Sequence, residues 1–183
     1  GDALNTWAFE LLAHADAPPA LIVKWVKGLS RSAGAMGMIA GQAMDMEGET
    51  RCLSLAELTD MHRRKSGALI ESSVTLIAMA GGSIDGGSID ELKQLNTFGH
   101  HIGLAFQIRD DILDVEASTA RLGKPQGSDQ ANNKSTFVSL LGLDGAKKKM
   151  LDELDAANAA LLPFGNKATG LQWIAGYITD RSY

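Results

Sequence analysis

One cysteine, Cys52, stands in the 183 residues, so no disulfide can form within the chain. That is ordinary for a reducing compartment. Aromatic residues make up only 5%, and there are four prolines. A low aromatic share beside abundant Ala, Leu, Met and Gly favours helix over strand. Basic residues are outnumbered, 17 Lys and Arg against 22 Asp and Glu, for a net charge of −5. No positive surplus points to nucleic acid. No apolar run is long enough to span a bilayer, and no signal-peptide pattern opens the chain. A soluble, cytoplasmic protein is the default. Hydrophobic residues reach 45%, enough for a sizeable core. Residues 1–183 therefore read as a single all-α domain.

What is present is organised around Phe106-Gln107-Ile108-Arg109-Asp110-Asp111-Ile112-Leu113-Asp114, inside a largely apolar segment from about Phe98 to Val115. Read as a helix, Gln107, Asp110, Asp111 and Asp114 fall at i, i+3, i+4 and i+7, on one face. Stacked carboxylates repel, and a divalent cation is the simplest group to offset that. Aspartate oxygens are hard donors of the kind Mg²⁺ takes, together with substrate phosphates. A solvated acidic face is the ordinary alternative. It fits poorly among Phe, Ile, Leu and Val, since burying unpaired charge is unfavourable.

Along the chain, residues 2–15 form an amphipathic pattern with Leu4, Trp7, Ala8, Leu11 and Leu12 on one face. Pro18-Pro19 ends it and starts an interrupted helical stretch from Ala20 to about Met46. Within that stretch, residues 32–41 are rich in Ala, Gly and Met, which suits close approach to a second helix or to a ligand. Ser54 and Glu57 have capping-box spacing and open a helix to about Arg64. Lys65-Ser66-Gly67 interrupts it, and Ala68–Ala80 resumes. A tandem repeat, Gly81-Gly82-Ser83-Ile84-Asp85 and Gly86-Gly87-Ser88-Ile89-Asp90, reads as a loop. The helix carrying the acidic face runs from about Ile89 to Val115, with a bend expected near Gly99 or Gly103. A polar loop (116–133) and helices over 135–143, 145–162 and 168–179 follow. Sustained period-two alternation is absent.

Other chemistries lack their residues. His100-His101 are adjacent and point to different faces. No HExxH, paired CxxC, GxSxG, GxGxxG or P-loop pattern occurs. Met36, Met38, Met44, Met46, Met61, Met79 and Met150 read as core filler.

Several short motifs then occur in order: Gly1-Asp2-Ala3-Leu4, Gly41-Gln42-Ala43-Met44-Asp45, Lys65-Ser66-Gly67-Ala68-Leu69, Gly103 to Asp114, Leu122-Gly123-Lys124 and Asn133-Lys134-Ser135-Thr136. The series resembles the trans-isoprenyl diphosphate synthases, most closely the bacterial farnesyl diphosphate synthases. The resemblance runs along essentially the whole chain but covers only the later part of the family's sequence. It implies the isoprenoid synthase fold, an antiparallel helical bundle around a central cavity, here lacking its N-terminal helices. The family's first aspartate-rich motif and its isopentenyl diphosphate residues are not among the 183. With a first residue other than Met, this suggests a truncated form that is nearly inactive alone.

The resemblance also implies an activity: Mg²⁺-dependent condensation of isopentenyl diphosphate with dimethylallyl or geranyl diphosphate to give farnesyl diphosphate. Three Mg²⁺ ions serve the family, or Mn²⁺ in their place. Asp110 and Asp114 would bind one, with Asp111 in or next to its coordination shell. Lys65, Lys124 and Lys134 would serve the diphosphate, with Lys134 pairing with the aspartates or closing the site. Ser66, where the family usually has Thr, and Gln107 would turn dipoles toward the allylic cation. Gln42 and Asp45 would form the opposite wall, and Phe106 would line the pocket. Read without the resemblance, the lysines are surface residues, Gln42 and Asp45 an ordinary helix-end turn, Gln107 a buried amide and Phe106 core. A homodimer is implied, with residues 2–15 and 20–46 at its interface. A non-catalytic helical subunit of an active prenyl synthase is the competing reading.

Overall fold

The computed structural model describes residues 1–85, 89–122 and 134–181; for 81–85 and 118–122 it describes the backbone alone. The described residues form helices and no strand. In order these are α1 (Asp2–Ala13), α2 (Pro19–Ala33), α3 (Met38–Gly48), α4 (Leu55–His62), α5 (Ala68–Asp85), α6 (Ile89–Leu122), α7 (Phe137–Leu161) and α8 (Thr169–Asp180). A π-helical turn, Arg63–Gly67, joins α4 to α5, and a 3₁₀ segment, Leu162–Ala168, precedes α8. Among the described residues no helix is long and apolar enough to cross a membrane.

The axis of the molecule is α6. Phe98, Ile102, Ala105, Ile108 and Ile112 recur at helical spacing and are all at most 2% exposed. They pack with Leu58 and Met61 of α4 and with Phe137, Ala146, Met150, Ala157 and Leu161 of α7. α5 lies against α6 on another side, and α2 against α5. Burial of this stripe fixes the rotation of α6 about its axis. The acidic face is thereby turned toward the edge of the core.

Element boundaries differ from the sequence reading in three places. α6 does not stop at Val115 but continues to Leu122, running through Gly99 and Gly103 as one helix. Glycine weakens a helix by only about 1 kcal/mol, which packing of α6 offsets. The first copy of the repeat, Gly81 to Asp85, extends α5 rather than forming a loop. Gly86, Gly87 and Ser88 lie outside the described residues. The two helices expected over 135–162 are present within α7: they meet at Gly142, whose backbone (φ +72°, ψ 165°) is not helical and is one an L side chain adopts only at a cost. Lys65-Ser66-Gly67 is not a break followed by a fresh helix start. It is a wider turn of a continuous helix, so it leaves no free N–H groups of the kind a fresh helix start would turn toward an anion.

The expected capping box at Ser54 and Glu57 is present in both directions. Met61 and Met150 are core filler as expected, but Met36 and Met46 are 63% and 70% exposed. Met46 lies on α3 and Met36 in the turn before it, and neither is covered by the described residues.

The small-residue stretch does bring two backbones together. A Cβ built on Gly41 of α3 would stand 2.2 Å from the backbone N of Lys65 and 2.5 Å from its Cα. Backbone cannot swing aside, so a side chain there must push α3 off the π turn. Gly41→Ala is expected to cost about 1–3 kcal/mol of stability, as overpacking does. Thermal unfolding of the variant beside the parent chain checks this; an unchanged midpoint would show that the approach is not tight.

Candidate active site

The wall of the site is assembled from α3, the π turn, the segment before α7 and α6. The segment before α7 is placed by a long-range bond: Leu53 N–H donates to the Ser135 hydroxyl oxygen at 2.8 Å. Lys134 is thereby brought to α3, where its Nζ meets Asp45 Oδ1 at 2.9 Å. From the π turn, Lys65 Nζ donates to Asp45 Oδ2 at 2.5 Å. One carboxylate therefore joins two lysines that lie far apart in sequence. Burial works against the Asp45 charge, but the hydrogen bonds from Lys65 and Lys134 outweigh it and hold its carboxyl below the usual range. Gln42, one turn earlier on α3, is exposed.

The next layer is His62, the last residue of α4. Its ring stacks on Phe137, with centroids 5.6 Å apart. Its Nδ1–H donates to Gln107 Oε1 at 3.0 Å, and Gln107 Nε2–H donates to Asp110 Oδ2 at 3.2 Å. The amide is thus fixed end to end: its oxygen is turned to imidazole and its nitrogen to carboxylate. Burial pushes the His62 pKa down to about 4, against the opposing hydrogen bond from Gln107; the Lys65 charge adds to the lowering. The ring is therefore a neutral donor at physiological pH. The sequence alone shows it only as the first residue of the basic run His62-Arg63-Arg64-Lys65. Its position three residues before Lys65, on the same helical side, was the available signal.

The three aspartates of α6 share a face but part company in their contacts. Asp110 accepts from Gln107 and pairs with Arg181. Asp111 turns to α7, where its Oδ2 accepts the Phe137 N–H at 2.7 Å. It satisfies one of the free donors at a helix start, alongside the capping box of Thr136 and Ser139. Burial pushes the Asp111 carboxyl up to about 6, against the Phe137 N–H; the charges of Asp114 and Asp110 add to the rise. Asp114 is exposed. Among the described residues no three acidic or imidazole groups converge on one point that an ion would occupy.

Phe106 is half-buried, and the Arg181 guanidinium sits 4.2 Å above its ring. Ser66 lies half-buried in the π turn beside Lys65. Lys134 meets Asp45 of α3 rather than the α6 aspartates, although its charge reaches Asp111. Lys124 lies outside the described residues. The two adjacent histidines serve other partners, His100 toward Glu71 at 3.5 Å and His101 toward Glu153 at 2.7 Å.

An all-helical chain with lysines and a carboxylate-bearing helix face on one wall matches a defined class of structures. A solved putative farnesyl-diphosphate synthase from Marinomonas sp. MED121 superposes with a TM-score of 0.82 at 40% identity, over 98% of this chain and 60% of that one. A geranyltransferase from Helicobacter pylori, solved in complex with magnesium and isoprenyl diphosphate, gives 0.77 at 35% identity, over 97% and 57%. The fold is the all-α isoprenoid synthase fold. The polyprenyl synthetase model matches residues 1–160, and the chain belongs to that family. The farnesyl diphosphate synthase of Geobacillus stearothermophilus is 42% identical over the whole of this chain and 61% of its own length. For that of Escherichia coli the figures are 41% and 62%. The chain thus spans about three fifths of the length of these relatives.

Proposed function

We propose that the protein to which this chain belongs is a Mg²⁺-dependent prenyltransferase that condenses isopentenyl diphosphate with dimethylallyl or geranyl diphosphate to farnesyl diphosphate. The observation that carries this reading is the convergence of Lys65 and Lys134 on Asp45, beside the His62–Gln107–Asp110 chain. Two ammonium groups that meet on one carboxylate are equally placed to meet on a diphosphate, which carries more charge.

Asp110 and Asp114, with Asp111 beside them, would hold Mg²⁺. Their oxygens are hard donors, and burial, with smaller contributions from the Asp114 and Asp110 charges, holds the Asp111 carboxyl above its usual range, where a bound cation would favour its charged form. Mg²⁺ bound there supplies charge neutralisation to a diphosphate leaving group. The allylic C–O bond breaks with its electron pair going to the diphosphate oxygen. Lys65 and Lys134 hold that oxygen's charge. The double bond of isopentenyl diphosphate then adds to the allylic carbon, and a proton leaves. Gln107 Oε1 is engaged by His62 through one lone pair, and its second can face positive charge. The Ser66 hydroxyl dipole serves the same end. A homodimer belongs to this reading: Leu4, Trp7 and Leu11 of α1 and Val23 of α2 are all more than half exposed, an apolar face suited to a second copy.

The test is isoprenyl transfer with labelled isopentenyl diphosphate and dimethylallyl or geranyl diphosphate, with and without Mg²⁺. It is run on the 183-residue polypeptide and on the full product of the reading frame that encodes it. A Mg²⁺-dependent C15 product from the longer polypeptide, with little from the shorter, is expected. No product from either would favour a non-catalytic subunit instead.

A further inference from the structure

Arg181 lies just beyond α8 and belongs to none of the motifs, yet it is tied to one turn of α6. Its guanidinium pairs with Asp110 Oδ1, covers the Phe106 ring at 4.2 Å, and donates to the Phe106 carbonyl oxygen at 3.4 Å. In return, Arg109 donates through Nε and Nη2 to the Arg181 carbonyl oxygen at 2.9 and 2.5 Å. The Arg181 side chain is 16% exposed. Its Nε is buried without a hydrogen-bond partner among the described residues. Both oxygens of Asp110 are therefore taken, one by Arg181 and one by Gln107.

We infer that Arg181 is a positioning residue that holds Asp110 in the cation-free protein, and that a divalent cation reaches Asp110 only by displacing it. This rests on Asp110 being a cation ligand, as proposed above. A guanidinium and a divalent ion compete for the same carboxylate lone pairs, and their charges repel at contact distance. The docked guanidinium is also imperfectly satisfied, since an unpartnered buried donor carries a desolvation cost. Release of Arg181 gives up the ring contact and the Phe106 carbonyl as well as the ion pair. Cation occupancy at α6 and docking of the end of α8 are then one equilibrium, and each must shift the other to the same degree.

The test uses the whole chain without substrate. Mn²⁺ binding is followed through the spectrum of the free aquo ion, and Mg²⁺ is titrated in competition. Arg181→Gln is expected to bind either cation about tenfold more tightly, within the range usual for coupled sites. Arg181→Lys, which keeps the charge, should stay near the parent. In cation-free buffer Arg181→Gln should melt lower than the parent, and the gap should close as Mg²⁺ is added. A purely structural role would leave that gap constant. In an Asp110→Asn background, residue 181 should no longer affect cation affinity. Equal or weaker binding by Arg181→Gln overturns the inference, and so does absence of cation binding in every variant. Failure of isoprenyl transfer with the Arg181 effect intact would instead strike the proposed reaction alone.

Discussion

Asp110→Ala is expected to lower turnover by roughly a thousandfold or more in a catalytically competent form of the protein, the scale on which removal of a charge-stabilising group acts. Asp110 is the carboxylate of α6 that faces the lysine wall through Gln107. Unlike Asp111, it is not committed to an α-helix start. Truncation also leaves the Arg181 guanidinium without its carboxylate. Some loss of stability should accompany the loss of rate, about 1 kcal/mol for a pair whose acidic member is 40% exposed. Asp110→Asn separates the two effects, because it keeps the shape and an acceptor for Gln107. Steady-state kinetics and thermal melts on both variants make the check. Turnover within about tenfold of the parent in a folded Asp110→Ala would remove Asp110 from the reaction.

The second large effect is on acid stability and belongs to His62. Its pKa falls from 6.5 to about 4 on folding, chiefly through burial. The unfolded chain takes up a proton that the folded ring refuses. Stability from this residue is therefore complete above the ordinary imidazole pKa and is lost as pH drops from 6.5 toward 4. At about 1.4 kcal/mol per tenfold change in proton affinity, the loss approaches roughly 3 kcal/mol. His62→Gln keeps a donor for the Gln107 oxygen and cannot titrate. Denaturant unfolding of parent and variant from neutral pH down to about pH 4.5 should show their stability difference moving toward the variant. Carboxylate contributions common to both cancel in that difference. Parallel curves would mean that the folded ring accepts the proton after all.

Much of the architecture was legible because it follows from repeating burial. The Phe98–Ile112 stripe and the Ser54–Glu57 capping box are local patterns, and each appears where the pattern places it. The close approach at Gly41 was readable from the density of small residues, though its partner, the backbone of Lys65, was not. Helical spacing correctly put Gln107 and Asp110 together. It could not say that Asp111 turns to the start of α7, because that bond spans 26 residues and depends on tertiary placement. His62 and Arg181 escaped for the same reason. Neither sits in a periodic pattern with the acidic face, and each joins it from a different helix or its end. Lys134, read as solvated by default, acquired its partner Asp45 only when Leu53 and Ser135 closed the chain on itself.

The turn Arg63–Gly67 carries one more residue than an α-helical turn would need. Upstream and downstream parts of the α4–α5 run are therefore out of phase by one residue, about 100° of rotation. The aim of Lys65 toward Asp45, and of His62 toward Gln107, is set by chain length as much as by side-chain identity. A one-codon deletion at Arg63 or Arg64 would restore an unbroken helical phase. Every side chain on the α4 side would then turn away from α6 while the sequence kept all of its motif residues.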